Sequence, residues 1–495
     1  MSGVTMSTDR TARALALAPA ELFIDGVWRP SSSGETFAVH NPATGEVLTR
    51  VPSATPDDGM AALAAADGAA SGWARTPARE RSELLRRAYD LLMERADEFA
   101  TLMTIEMGKP LAEARGEVTY GGEFLRWFAE EAVRINGRYS PSPEGNLRML
   151  TVRRPVGACL FITPWNFPLA MATRKIAPAL AAGCTTILKP AALTPLTSLA
   201  FVRLLEEVGV PQGVVNVIPT QDAQPVTGPI IRDRRLRKLS FTGSTAVGMA
   251  LLEECAGNVV RTSMELGGCA PFIVFDDADL GKAVESAYQT KMRNMGEACN
   301  AANTFYVQAG VADEFAERLA ARLAALAVGD GLEEGTQVGP LISDGARKGV
   351  GDLVDEAVQQ GAKVLTGGGP VNGPGYFYAP TVLTGVTADA AIASTEIFGP
   401  VAPVTTFETE DEVVERVNAS PVGLSAYLHT GDIARVWRMT ERLETGMLGV
   451  NGGTISNAAA PFGGVKHSGL GREGGPEGIE AYLETMYVGF ADPFA

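Results

Sequence analysis

Apolar residues recur at helical spacing from Arg81 onward: Leu84, Ala88, Leu91, Leu92, Ala96 and Phe99 share a face, and the texture continues through EFLRWFAEEAVRI. This predicts a helical flank. Ahead of it, ELFIDGVWRP and FAVHNPATGEVL read as short strands joined by turns. Behind it, NLRMLTVRR (146–154) is β-prone and stops at Pro155. From Val156 short apolar runs alternate with helical ones: VGACLFIT, LAMATRKIAPALAAG, TTILK, PLTSLAFVRLLEEVG, then VVNVIPT and KLSFTG. Strands alternating with helices of this length predict βαβ units and a parallel sheet, which binds nucleotides at the carboxyl ends of its strands. A second alternating block starts near Gly267 with APFIVFDDADL, runs through GVADEFAERLAARLAAL and includes APVTTFET, predicting a second α/β domain.

Composition narrows the function. The chain has 495 residues, 46% apolar and 20% charged, enough for two or three domains with buried cores. A formal net charge of −16 argues against nucleic acid or an anionic membrane as partner, since either requires a basic face. No apolar stretch approaches the roughly 20 residues of a spanning helix. The first twenty residues hold Asp9 and a short apolar run ending at Pro19, too weak for a signal peptide, and are expected to be a disordered tail. Five cysteines, odd in number and never at CxxC spacing, suggest neither a disulfide framework nor a zinc ribbon, and fit a reducing, cytoplasmic setting.

FTGSTAVG (241–248) follows a strand-like run and opens a helical one, so its free N–H groups and the Ser244 hydroxyl suit a pyrophosphate as well as an ordinary capped turn. Lys189, ending the neighbouring strand-like run, adds a cation for an adenosine and phosphate site. GLGREG (469–474) matches GxGxxG, but no βαβ unit follows it, and it reads as a turn-rich connection. Cys299 stands apart from the other cysteines: in RNMGEACNAAN its neighbours are small, and the segment from Asn294 could be a loop opening a helix that lowers the thiol's pKa. The alternative is a buried structural cysteine. His40, His429 and His467 lack a hydrolase context, and Asp276, Asp277 and Asp279 have no histidine or cysteine at ligand spacing.

Taken together, PWNFP (164–168), LKPA (188–191), FTGSTAVG, MELGG (264–268), GEAC (296–299), EIFGP (396–400) and PFGGVKHSGLGRE (461–473) resemble the aldehyde dehydrogenase superfamily in motif order and spacing, from about Glu21 onward. The resemblance implies an α/β fold with a Rossmann-type cofactor domain (21–134 and 156–266), an α/β catalytic domain (267–476) and a β oligomerisation arm (135–155 and 477–495). It implies that Cys299 attacks the aldehyde, that Asn166 and the Cys299 N–H hold the oxyanion, and that Glu265 activates the water that hydrolyses the thioester. For the cofactor it implies Thr163, Pro164, Trp165, Lys189, Gly243 and Ser244, with Glu396 and Phe398 on the nicotinamide-ribose side. No metal is required.

Within the superfamily, ATRKIAPALAAGCT, RNMGEAC and GTISNAAAPFGGVKHSGLGREG resemble the succinate-semialdehyde dehydrogenases, which implies that Arg174 and Arg293 grip the substrate's distal carboxylate, with Ser456 and Asn457 completing the pocket. Glutarate semialdehyde or an uncharged aldehyde is the alternative substrate, and a catalytically silent nucleotide-binding relative the alternative class. Ala192 stands where NAD-preferring relatives often carry a glutamate that repels a 2′-phosphate, so NADP⁺ is expected to be preferred, with NAD⁺ possible and Thr194 or Ser198 as further phosphate donors. The arm implies a homodimer or homotetramer. Three positions depart from the family: Glu297 for the usual Gln, expected to point away from the thiol; Thr304 for Arg; and Ala301 where some relatives have a second cysteine, which excludes a neighbouring-cysteine switch.

Overall fold

The apolar runs after Val156 become the strands Ala158–Ile162 and Thr185–Lys189, buried along their whole length. Buried on both faces, they sit inside a sheet covered on both sides. The computed structural model describes residues 10–387 and 389–494 and places them in an eight-stranded sheet. Its parallel strands lie in the order Val215–Val217, Thr185–Lys189, Ala158–Ile162, Leu236–Thr242, Arg261–Glu265. Ala158–Ile162 is the first of these in sequence, so the order reverses between it and Leu236–Thr242, where doubly wound sheets open a ligand crevice. The residues leaving those two strand ends are Thr163–Asn166 and Gly243–Ser244.

The edges of this sheet come from distant sequence. The hairpin Leu22–Ile24 and Val27–Arg29 closes one side. Gly469–Leu470 closes the other, antiparallel to Arg261–Glu265. The sequence reading placed 469–470 in the catalytic domain as part of a turn-rich connection; here they form an edge strand of the eight-stranded sheet, and two residues carry no strand periodicity to reveal it.

The helical flank forms as Ala78–Glu94, Ala96–Met107 and Leu111–Ala132, preceded by Pro56–Arg75, which begins in a reciprocal Thr55–Asp58 capping box. Leu84, Ala88, Leu92 and Phe99 are buried, as their spacing requires. The expected disordered tail is corrected from residue 10 on: 10–16 are helical, Ala14 is fully buried, and Arg10 Nε donates to Thr101 Oγ1 at 2.8 Å. Residues 1–9 lie outside the described residues.

The second block gives a seven-stranded sheet in the order Lys363–Thr366, Thr381–Thr384, Val401–Phe407, Thr304–Gln308, Pro271–Val274, Ser425–His429, Met447–Val450, parallel apart from the first strand. Leu147–Pro155 pairs antiparallel with Leu483–Ala491 on one side and Arg138–Pro141 on the other, making a three-stranded arm. Tyr139, Met486, Tyr487 and Phe490 are exposed on it. No helix among the described residues is long and apolar enough to cross a membrane.

Candidate active site

The loop after Ile162 is held from below by two charged side chains of the helical flank. Lys109, fully buried, donates to the Asn166 carbonyl at 2.7 Å and pairs with Glu117 at 2.5 Å. Glu117 also accepts from the Leu169 and Ala170 N–H groups at 2.9 and 3.1 Å, fixing where the helix Ala170–Ala182 begins. Both are charged residues that a sequence reading assigns to the surface, and both were missed.

Cys299 lies in a turn, and the next regular element is the strand Thr304–Gln308. The expected helix opening at the thiol is therefore absent, and so is its acidifying effect. Burial pushes the thiol up to about 12; Arg174 and Arg293 pull it down, while Glu396 and Glu265 push it further up. The loop is shaped by consecutive left-handed residues, Asn294 (φ 52°), Met295 (φ 55°) and Gly296 (φ 82°). A Cβ on Gly296 would lie 2.2 Å from the Gly399 carbonyl oxygen, so only glycine lets this loop pack against EIFGP. Asn294 and Asn166 each donate a side-chain amide to the Glu297 carbonyl at 3.0 Å, which ties the thiol loop to the Asn166 loop. The Cys299 N–H donates to no backbone carbonyl among the described residues.

Pro164, Trp165, Asn166, Gly243, Ser244, Glu265, Cys299, Glu396 and Phe398 converge on one cavity of 240 Å³. Ser244 caps the helix Thr245–Ala256 without using its hydroxyl. Glu396 accepts from the Gly268 N–H, has its Oε1 buried without a partner, and is pushed up to about 7 by burial. Phe398 (φ 51°) packs edge-on to Trp165 with ring centroids 5.6 Å apart. Thr163, Lys189 and Ala192 lie outside this cavity: Lys189 pairs in register with Ile162 at the neighbouring strand end, and burial brings its ammonium down to about 8. Thr194 and Ser198 donate to the Trp165 and Pro168 carbonyls at 3.1 and 3.3 Å, so they brace the loop rather than wait for a phosphate. A separate cavity of 320 Å³ around Cys269, Thr304 and Arg416 contains none of the predicted site residues.

Both oxygens of Glu265 are buried without a partner among the described residues. Burial, and then the charge of Glu473, drive its carboxyl well above the usual range. Burial would raise Glu473 too, but Arg174 and Lys175 outweigh it and hold that carboxyl down at about 2. Arg174 Nε donates to Glu473 Oε2, its guanidinium lies 4.1 Å from the Phe462 ring centroid, and its NH2 is buried without a partner. Arg293 is placed differently, over the rings of Phe167 (5.0 Å) and Tyr120 (5.5 Å), with NH1 donating to Ser456 Oγ at 3.2 Å. Asn457 is exposed and accepts from the Ala459 N–H at 2.9 Å, capping its own turn.

Glu297 is fully buried and turned toward Ile342, whose N–H it accepts at 3.0 Å, leaving Oε2 without a partner. Burial raises its carboxyl well above the ordinary range. The folded protein thus holds this proton more tightly than the unfolded chain, so Glu297 erodes stability as pH climbs above about 4.3, the free-glutamate value. Glu297→Gln is expected to raise Tm at neutral and alkaline pH, with the gain shrinking in acid. A Tm difference that does not vary with pH would rule this out.

The sequence matches the Aldehyde dehydrogenase family over residues 28–488. The chain belongs to that family. It is 60% identical to a succinate-semialdehyde dehydrogenase of Paenarthrobacter nicotinovorans, across 90% of this chain and 100% of the relative. It is 50% identical to a glutarate-semialdehyde dehydrogenase of Pseudomonas putida, across 94% and 97%. The crystal structure of an E. coli NADP-dependent enzyme superposes with a TM-score of 0.95 at 47% identity, covering 96% of this chain and 99% of that one. In this aldehyde dehydrogenase, Lys175 and Glu473 join the predicted residues as a buried network beside Glu265. The basic pair Arg174 and Lys175 in the run LAMATRKIAPALAA was the signal available for it, from which only Arg174 was read.

Proposed function

We propose that the protein oxidises succinate semialdehyde to succinate, with NADP⁺ as its preferred hydride acceptor. The observation that carries the substrate is what surrounds the thiol: Phe167, Ala170, Met171, Ala298 and Ala301 form an apolar cluster with Tyr120 against it, and the Arg293 guanidinium stands over the Phe167 and Tyr120 rings. Apolar side chains beside a cation complement an aldehyde with a carboxylate a few atoms away. Arg174 adds its unpartnered NH2 after its Nε is engaged by Glu473. The relatives named for succinate and glutarate semialdehydes support the same substrate class.

The cofactor residues fit a dinucleotide. Ser244 offers a free hydroxyl at a helix start, Glu396 an unpartnered oxygen for a ribose hydroxyl, and Ala192 no carboxylate that would repel a 2′-phosphate near Lys189. When bound, NADP⁺ supplies the nicotinamide that takes the hydride. The chain's residues supply the rest. Cys299 attacks the carbonyl carbon as its proton is released to solvent, and Arg174 and Arg293 favour the thiolate against the burial that raises the thiol. The second hydrogen of the Asn166 amide and the Cys299 N–H receive the oxyanion. Glu265, made a strong base by burial and by Glu473, draws a proton from the water that cleaves the thioester.

The test is kinetic. Arg293→Ala should lower the ratio of kcat/KM for succinate semialdehyde over butanal by about ten- to a hundredfold, the usual effect of losing a charged hydrogen-bonding partner. Equal losses with both aldehydes would remove the carboxylate site. Rates with glutarate semialdehyde decide chain length, and a kcat/KM favouring NAD⁺ would overturn the cofactor preference. The apolar side chains exposed on the arm support a homodimer or homotetramer, and a monomeric mass by light scattering would refute it. Five free cysteines support a reducing, cytoplasmic location, which fractionation would check.

A further inference from the structure

Asn300, directly after the nucleophile, is not among the residues that the family resemblance marks, yet its side chain meets the proposed carboxylate site. Its Nδ2 donates to Ser456 Oγ at 3.1 Å, and Arg293 NH1 donates to the same oxygen at 3.2 Å. A hydroxyl accepts two hydrogen bonds and gives one. A guanidinium only donates, and so does an amide nitrogen, so both acceptor positions of Ser456 are filled and its own proton is left over. Nothing among the described residues accepts it from Ser456. Asn300 is itself held, buried, with its backbone carbonyl accepting the Tyr427 hydroxyl at 2.8 Å.

We propose that Asn300 is a positioning residue that fixes the Ser456 hydroxyl as a donor toward the distal acid group of an anionic aldehyde. This rests on the reading that Arg293 marks the carboxylate end of the pocket. Without the amide, the Ser456 oxygen regains an open lone pair that can face the substrate anion, and the hydroxyl is no longer held with its proton outward. Because Asn300 adjoins Cys299 in the chain, the same few atoms also fix how far the donor stands from the reacting thiol. The residue therefore sets specificity through Ser456.

The experiment is a double-mutant cycle of Asn300→Val and Ser456→Ala, read as kcat/KM with succinate semialdehyde and with butanal. Asn300→Val should lower the succinate-semialdehyde over butanal ratio about tenfold, mainly through KM, and should lower it no further in the Ser456→Ala background. Independent, multiplying effects would overturn the inference, because Asn300 would then not act through Ser456. Equal losses on both aldehydes would also overturn it, showing a structural role. If Asn300→Val fails to fold, Asn300→Ala takes its place in the same cycle. Should Arg293→Ala and Ser456→Ala both leave the ratio unchanged, the carboxylate reading itself falls, and the inference with it; loss of the ratio in those two variants alone leaves the reading standing and refutes only Asn300.

Discussion

Cys299→Ala is expected to abolish aldehyde oxidation while the cofactor still binds. Removing a covalent nucleophile lowers turnover on the order of 10⁶-fold when the residues around it act as a unit. Here the thiol loop is such a unit: Asn294 and Asn166 both donate to the Glu297 carbonyl, and Gly296 packs on Gly399. Alanine removes only the sulfur, leaving Ser244, Glu396 and the strand-end residues as they were. Fluorescence titration with NADPH should give a Kd close to that of the parent, beside a rate indistinguishable from background. Retained turnover would refute the assignment of the nucleophile.

Glu265→Gln is expected to show a single burst of about one NADPH per site followed by a rate lowered roughly 10²- to 10⁴-fold, the usual contribution of a general base. The first half-reaction needs the thiol and the oxyanion donors; the second needs a base for water. Glu265 is suited to the second because no hydrogen bond engages either of its oxygens and Glu473 raises its affinity for a proton. Glutamine fills the same space and accepts no proton. Rapid-mixing absorbance would show the burst, and fast multiple turnovers would mean that another group serves as base.

The α/β fold was legible because short β-prone runs alternate with helical ones: Ala158–Ile162 and Thr185–Lys189 are buried throughout, and the stripe Leu84, Ala88, Leu92 is buried as spacing demands. Elements without periodicity stayed hidden. The helix at 10–16 buries Ala14, and Gly469–Leu470 is a strand only by virtue of its partner. The cavity residues were legible through motifs, whereas the state of the thiol was not. The polar segment from Asn294 suggested a loop opening a helix, but the chain passes through left-handed conformations, which residue types do not announce at Asn294 or Met295. Lys109, Glu117 and Glu473 escaped for a common reason: a charged residue reads as solvated until its partner is known, and the Asn166 carbonyl held by Lys109, the Leu169 and Ala170 N–H groups held by Glu117 and the Arg174 side chain held by Glu473 all lie far away in sequence. Asn457 was chosen with Ser456 as a neighbour, yet adjacent residues in a loop face different ways, and Ser456 is the one that reaches Arg293.

The edge strand Gly469–Leu470 and the residues after it also bear on how the chain is made. Tyr482 packs edge-on to Phe161 under the cofactor sheet, its carbonyl receives the Val156 N–H at 3.0 Å, and Leu483 opens the strand that pairs with Leu147–Pro155. A domain begun by Leu22–Ile24 is therefore closed by residues more than four hundred positions later. Such distant pairings are slow to form and leave apolar edges open in the meantime. While the ribosome is still synthesising the residues between Glu265 and Gly469, the strand Arg261–Glu265 must wait with one margin unpaired, which exposes the growing chain to aggregation until residue 470 has emerged.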